Sequence, residues 1–170
     1  MTQVLFRMYM AFTAAAFLIF LLCGMDFLGA LNHALSTVSA GGFSTYNASA
    51  AHFESPAVEA WMTFFMILTG GNYGLYYQAW QKGWHVLRRN TEFKAYLLII
   101  AAATVLIGLN LMDGFDVSAP TALRYSSFQA ASIATTGFVS ADYDRWPPFS
   151  KGILLVLMIS GGCAGSTAAG

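Results

Sequence analysis

Four apolar stretches govern what this chain can fold into: roughly Val4–Met25, Pro56–Trp80, Phe93–Met112 and Lys151 onward. Each approaches the ~20 residues that a helix needs to cross a bilayer. Charge is too scarce to wet such surfaces, at 9% of residues against 57% hydrophobic, where soluble domains carry about 25%. Aromatic residues at 15% and 16 glycines fit the same environment, which uses them at interfaces and helix contacts. The expected class is an all-α membrane protein with four transmembrane spans. The first run lacks a small-residue cleavage site before Asp26 and reads as a retained span, not a signal peptide. The fourth reaches Gly170 inside a Gly/Ala/Ser-rich stretch without a cap, which suggests a chain that continues. A formal net charge of zero gives no reason to expect nucleic acid as a partner.

Between these stretches lie two shorter apolar patterns, Asp26–Ser39 and Ala119–Ala134, too short to cross and better suited to re-entrant helices. Both run into hairpins of small residues, Ala40-Gly41-Gly42-Phe43-Ser44-Thr45 and Thr135-Thr136-Gly137-Phe138-Val139-Ser140. Non-helical backbone at membrane depth survives only where protein buries it or where it lines a watery cavity. The Gly-Phe pairs of the hairpins lie 95 residues apart, and Gly70-Gly71-Asn72-Tyr73-Gly74 lies 91 before Gly161-Gly162-Cys163-Ala164-Gly165. The order of span, short helix, hairpin and glycine motif therefore recurs as a parallel repeat, whose axis runs along the membrane normal. It divides the chain into a pore unit (1–80), a cytoplasmic basic linker (81–94) and a second pore unit (95–170), its inner helix truncated.

Lys82, Arg88, Arg89 and Lys94 crowd the Gln81–Lys94 loop against Glu92, and Arg7 stands at the start of the first span. Asp26, Glu54, Glu59, Asp113, Asp116, Asp142 and Asp144 fall on the other side with Arg124, Arg145 and Lys151. The basic loop is thus expected inside and the hairpins open from outside. Trp80 and Trp84 flank the basic loop and Trp146 the outer side, as interface anchors should.

A cation leaving water needs oxygen in place of its hydration shell, and potassium filters supply rings of backbone carbonyls. Turning carbonyls toward one axis takes conformations that glycine adopts cheaply, which singles out Gly42 and Gly137. Small residues precede each, so nothing bulky blocks the path, while Phe43 and Phe138 are expected to pack behind the loops. Each short helix aims its negative end at the hairpin. Asp26, Glu54, Asp142 and Asp144 at the mouth would concentrate cations. Singly, these features have blander readings: mouth carboxylates are often only a solvated face, Gly70/Gly74 and Gly161/Gly165 spacing is usual in helix packing, and His33 suits a hydrogen-bonded packing residue. Cys23 and Cys163 read as small buried hydrophobes. The acids sit at span ends, and no intramembrane Ser/His/Asp set or metal-ligand cluster is evident, so an enzyme is not expected.

Asn32-His33-Ala34-Leu35-Ser36-Thr37-Val38-Ser39-Ala40-Gly41-Gly42-Phe43-Ser44-Thr45 resembles the second pore loop of Trk-type potassium uptake proteins (TrkH-like, in the Trk/Ktr/HKT superfamily). Ser132-Ile133-Ala134-Thr135-Thr136-Gly137-Phe138 with its run to Phe149 resembles their third, and Gly161–Gly170 the helix that follows. The resemblance implies a bacterial inner-membrane, multi-pass pore of four such units, a homodimer, and a cytosolic nucleotide-binding regulatory subunit (TrkA-like). It implies potassium-facing carbonyls at Ser39, Ala40 and Gly41 before Gly42, and at Ala134, Thr135 and Thr136 before Gly137. It also implies an intramembrane gating stretch at Gly161, Gly162, Gly165 and Ser166. It implies potassium as the substrate and no organic cofactor. Ala40 stands where a hydroxyl residue would add a side-chain oxygen. Two hairpins cannot surround an ion, so a fragment of a four-unit pore is favoured over two chains pairing. An alternating-access carrier and a non-conducting assembly piece remain alternatives; potassium over sodium, and any coupling to protons or sodium, stay open.

Overall fold

A computed structural model describes residues 2–115 and 117–168; Met1, Asp116, Ala169 and Gly170 lie outside the described residues. Helix α1 (Thr2–Leu22) leads to α2 (Phe27–Val38), and a 3-10 turn (Ser49–Phe53) precedes α3 (Pro56–Thr69). Then come α4 (Tyr73–Lys82), α5 (His85–Arg89), α6 (Thr91–Phe115), α7 (Ala119–Ala134), a 3-10 turn (Tyr143–Arg145) and α8 (Pro148–Ser160). No strand occurs among the described residues. The all-helical expectation holds, and the two short patterns are helices within a residue of their expected bounds.

Local chemistry sets these boundaries. Asp26 caps α2 by accepting from the Gly29 N–H at 3.0 Å, and Ser55 caps α3 with Pro56 at its first position. Asn90 accepts from the Phe93 N–H at 2.7 Å to start α6. Each side chain satisfies a backbone donor that the helix itself leaves unpaired.

The stretch Pro56–Trp80 is not one helix. Gly70 ends α3, and Asn72 caps a new helix by accepting from the Leu75 N–H at 3.1 Å. Helix α3 has 14 residues, about 21 Å at 1.5 Å per residue, short of the ~30 Å hydrocarbon core. Gly161, at φ 64°, ends α8 after 13 residues. The Gly70/Gly74 and Gly161/Gly165 spacing therefore marks helix breaks, not a packing seam. The basic loop contains α5, and Trp146 is buried beside Leu154 and Leu157, not displayed at an interface.

Helices α1, α2 and α3 pack around Phe20, Met62 and Met66, and α6, α7 and α8 around Ile107 and Leu157. Helix α7 also packs on α3, inserting the fully buried Phe128 into the first cluster. Outward, α1 exposes Leu18 and Leu22, α6 Leu98 and Leu109, and α8 Val156 and Ile159. Among the described residues two helices, α1 and α6, are long and apolar enough to cross a membrane, and their outward faces suit hydrocarbon better than water.

Candidate functional site

Both short helices run into turns that hold a left-handed glycine, Gly42 after α2 and Gly137 after α7. The Gly41 N–H donates to the Ser36 carbonyl and the Gly137 N–H to the Ser132 carbonyl, each at 2.8 Å. These bonds match Gly41 to Gly137, whereas the Gly-Phe pair matches Gly42 to Gly137. The first hairpin thus holds one more residue between helix and Gly-Phe pair. Its backbone absorbs that residue by turning Ala40 to φ 56°, where Thr135 sits at φ −132°. Gly42 at φ 68° and Gly137 at φ 89° occupy the region that L side chains avoid.

The two hairpins meet. A Cβ on Gly42 would overlap the Thr136 carbonyl oxygen and stand 3.0 Å from its carbon, both backbone atoms. Nearby, the Ala51 N–H donates to the Val139 carbonyl at 3.0 Å, and the Val139 N–H donates to Ser49 Oγ at 3.2 Å. Ser39 and Gly137 are exposed, Ala40, Gly41, Gly42 and Thr135 half-buried, and Ala134 and Thr136 buried. The structure therefore brings the candidate residues of both hairpins into one place.

The phenylalanines differ. Phe138 is fully buried and stacks on His33, ring centroids 5.6 Å apart, and Ser132 Oγ donates to its carbonyl at 2.6 Å. Phe43 is 77% exposed, so the expectation that both rings pack behind their loops fails for it. The ring that Phe138 uses, His33, belongs to the other hairpin's helix; among the described residues nothing plays that part for Phe43. His33 is itself a packing residue, buried and bonded to the Gly29 carbonyl at 2.7 Å and Ser44 Oγ at 2.9 Å.

After α8 the stretch 161–168 is non-helical, with Gly161 and Gly165 at positive φ. It docks on the α3–α4 break. The Cys163 N–H donates to the Gly70 carbonyl at 2.8 Å, Thr167 Oγ1 to the Thr69 carbonyl at 3.3 Å, and the Tyr73 N–H to the Gly165 carbonyl at 3.2 Å. Ser166 Oγ donates within the stretch, to the Ala168 carbonyl at 2.9 Å. Glu92 Oε1, at the start of α6, accepts from the Ala164 N–H at 2.6 Å. A Cβ on Gly70 would stand 2.6 Å from Thr135 Cγ2. The candidate gating stretch, the helix break and the second hairpin are contiguous.

At the mouth, Asp26 accepts from Tyr46 Oη at 2.7 Å as well as from Gly29. The Gly29 N–H first, then the Tyr46 hydroxyl, hold its carboxyl below the usual aspartate range. Glu54 and Asp144 are exposed, and Asp142 pairs with Arg145 at 2.9 Å. Glu59, expected among the charges at the span ends, is not exposed there. It is buried on α3 and faces Arg124 Nε of α7 at 3.2 Å, tying the two halves together. Sequence reasoning missed this pair because the partners sit in separate segments, each plausible as a solvated charge. Its one signal was an acid inside the first turn of an apolar helix. Among the described residues no group of three or more His, Cys, Asp or Glu could hold a metal ion, and Cys23 and Cys163 are unpaired thiols.

The sequence family described as TrkH, a cation transport protein, matches residues 1–170. The chain belongs to this family. The family is one of cation transporters, so no covalent chemistry is asked of the site. The chain is 35% identical to the Trk system potassium uptake protein TrkH of Salmonella typhimurium, over 99% of this chain and 35% of that protein. It is 34% identical to Escherichia coli K12 TrkH, again over 99% and 35%. With the crystal structure of the potassium transporter TrkH from Vibrio parahaemolyticus it shares 31% identity and a TM-score of 0.94, over 99% of this chain and 37% of that one. This TrkH-family chain thus spans about a third of the length of the curated relatives it matches.

Proposed function

We propose that this chain supplies two helix, re-entrant hairpin, helix units to a Trk-type potassium uptake protein of a bacterial inner membrane. In this reading 1–80 and 95–170 are pore units, 81–94 is the cytoplasmic linker, and α1, α3 with α4, α6, and α8 with the stretch after it are the four membrane-crossing segments. Ser39, Ala40, Gly41 and Gly42 form one filter strand, and Ala134, Thr135, Thr136 and Gly137 another. Their carbonyls replace the hydration shell of potassium, which moves down its electrochemical gradient. Gly161, Gly162, Gly165 and Ser166 form the gate beneath.

The observation that carries the reading is the meeting of the two hairpins at Gly42 and Thr136, each at the negative end of a short helix. Support also comes from the relatives, which are named as potassium uptake proteins. Two further hairpins complete the ring in the full-length protein, which works as a homodimer under a cytosolic nucleotide-binding regulator. The test is potassium uptake by potassium-starved cells that carry the full-length protein with Gly42→Asp or Gly137→Asp. Both substitutions are expected to abolish uptake or selectivity; unchanged uptake and selectivity in both would sink the filter assignment.

A further inference from the structure

Beside the linker lies a groove that the transport reading leaves unused. It encloses about 720 Å³ between five helices and is lined by Phe12 of α1, Phe64 and Leu68 of α3, Trp80 of α4, Leu87 of α5 and Phe93 of α6. That volume is in the range of ligand pockets, about 300–1,000 Å³. The lining is almost wholly hydrocarbon and aromatic, which suits a hydrocarbon occupant.

The rim is cationic. Arg7 precedes the lining residue Met8, Lys82 precedes Gly83, and Arg88 and Arg89 follow Leu87. All four cations are exposed. The ion pairs formed among the described residues are Glu59–Arg124 and Asp142–Arg145, neither at this rim. The one acid of the linker, Glu92, is bonded to the Ala164 N–H. Trp80 and Trp84, 84% and 78% exposed, stand where the apolar groove meets the charged rim. An amphipathic ring at such a boundary sits at headgroup level.

We propose that this groove is a binding site for an anionic phospholipid of the leaflet next to the basic linker. An acyl chain lies along Phe12, Phe64 and Leu68, and the phosphate is held by Lys82, Arg88 and Arg89. Basic pockets between membrane helices recognise anionic headgroups in this way. The surface charge of a soluble acidic protein would answer the rim alone, whereas a lipid answers the charged rim and the apolar groove reaching to α1 and α3 together. The site rests on the reading of the chain as membrane-spanning with the linker at headgroup level.

The experiment takes the protein extracted from membranes in mild detergent, adds phosphatidylglycerol or phosphatidylcholine of the same acyl composition, and counts retained lipids by native mass spectrometry. Phosphatidylglycerol is expected to be retained at least tenfold better. A combined Lys82→Gln, Arg88→Gln, Arg89→Gln variant, altered only at exposed positions, should weaken that retention by about fivefold per cation removed. It should leave phosphatidylcholine unaffected. Ala11→Trp, which fills the groove from an exposed position, should lower retention of both lipids. Equal retention of the two lipids, or undiminished phosphatidylglycerol in the triple variant, overturns the site. So does a triple variant that keeps its lipid but loses an acidic protein partner. Release of the protein from membranes by alkaline carbonate would instead defeat the membrane-spanning reading itself.

Discussion

Replacing Gly42 by alanine tests the contact on which the filter reading stands. Two costs add. At φ 68° a side chain meets its own backbone in the left-handed region, about 1–2 kcal/mol, of which the stiffer unfolded chain returns about 0.4–1 kcal/mol. The new methyl also overlaps the Thr136 carbonyl oxygen and lies 3.0 Å from its carbon, where carbon atoms prefer about 3.5–4.0 Å. Thr136 must retreat by roughly 1 Å, because its oxygen is the atom that overlaps, and forcing a methyl into packed surroundings costs about 1–3 kcal/mol. The sum is about 1–5 kcal/mol. Gly24 is the matched control, at φ 93° with nothing within 4 Å of an added Cβ, so Gly24→Ala carries the backbone cost alone. Thermal unfolding in one detergent should place Gly42→Ala below Gly24→Ala by about 1–3 kcal/mol. Uptake by potassium-starved cells should fall in the first and persist in the second. If the two proteins melt together, or if Gly24→Ala is the less active, the hairpin contact does not constrain the filter.

Glu92→Ala removes a charge-assisted bond to the non-helical stretch after α8, the proposed gate, worth about 1 kcal/mol at this exposed position. The stretch should loosen, so the buried Cys163 should react faster with a membrane-permeant maleimide in a Cys23→Ser background; an unchanged rate shows that the Glu92 bond does not hold the stretch in place. Arg124→Met strands the buried Glu59 and should cost about 2–3 kcal/mol, less than the ~3–5 of a fully buried pair because Arg124 is 32% exposed. Adding Glu59→Met should restore most of that loss, and a double variant no better than the single one shows the pair to be irrelevant. The Asp26 carboxyl is depressed in the folded protein from an ordinary value of 3.8, by Gly29 and then Tyr46. Its contribution is therefore complete above that value and lost only as pH falls through the lower folded value. Stability relative to Asp26→Asn should stay flat from pH 8 to about 4 and narrow below that; a difference that closes between pH 7 and 5 contradicts the assignment.

What the sequence made legible is local. Helix α7 could be bounded to the residue because Pro120 stands in its first turn and Thr135-Thr136-Gly137 follows its last, and α2 because Asp26 and Ser39 bracket it. The break after Gly70 was visible as a motif, but Gly-Gly in an apolar run also suits close helix contact. Only Asn72, poised to cap, separates the two outcomes. Distant pairings were not legible. Glu59 and Arg124 look like two solvated charges until α3 is laid on α7. Phe43 and Phe138 follow glycine in nearly identical hairpins and have opposite fates, because burial depends on which helix happens to stand beside the ring.

That asymmetry has a direction. The earlier hairpin offers the bare Cα of Gly42 to the later hairpin's Thr136 carbonyl. In return, the later hairpin lays Phe138 on His33 of the earlier unit's short helix. Gly137, the later counterpart of Gly42, has nothing within 4 Å of an added Cβ, and Phe43, the earlier counterpart of Phe138, is exposed. Each exposed feature is thus one half of a contact whose other half is already seen filled between these two units. Under the proposed reading the seam repeats with the same sense around the pore. A following hairpin brings its carbonyl to Gly137, and a preceding short helix covers Phe43. One seam then sets both the spacing of adjacent filter strands and the order of units around the ion, and glycine is required before each phenylalanine for close approach as much as for backbone conformation.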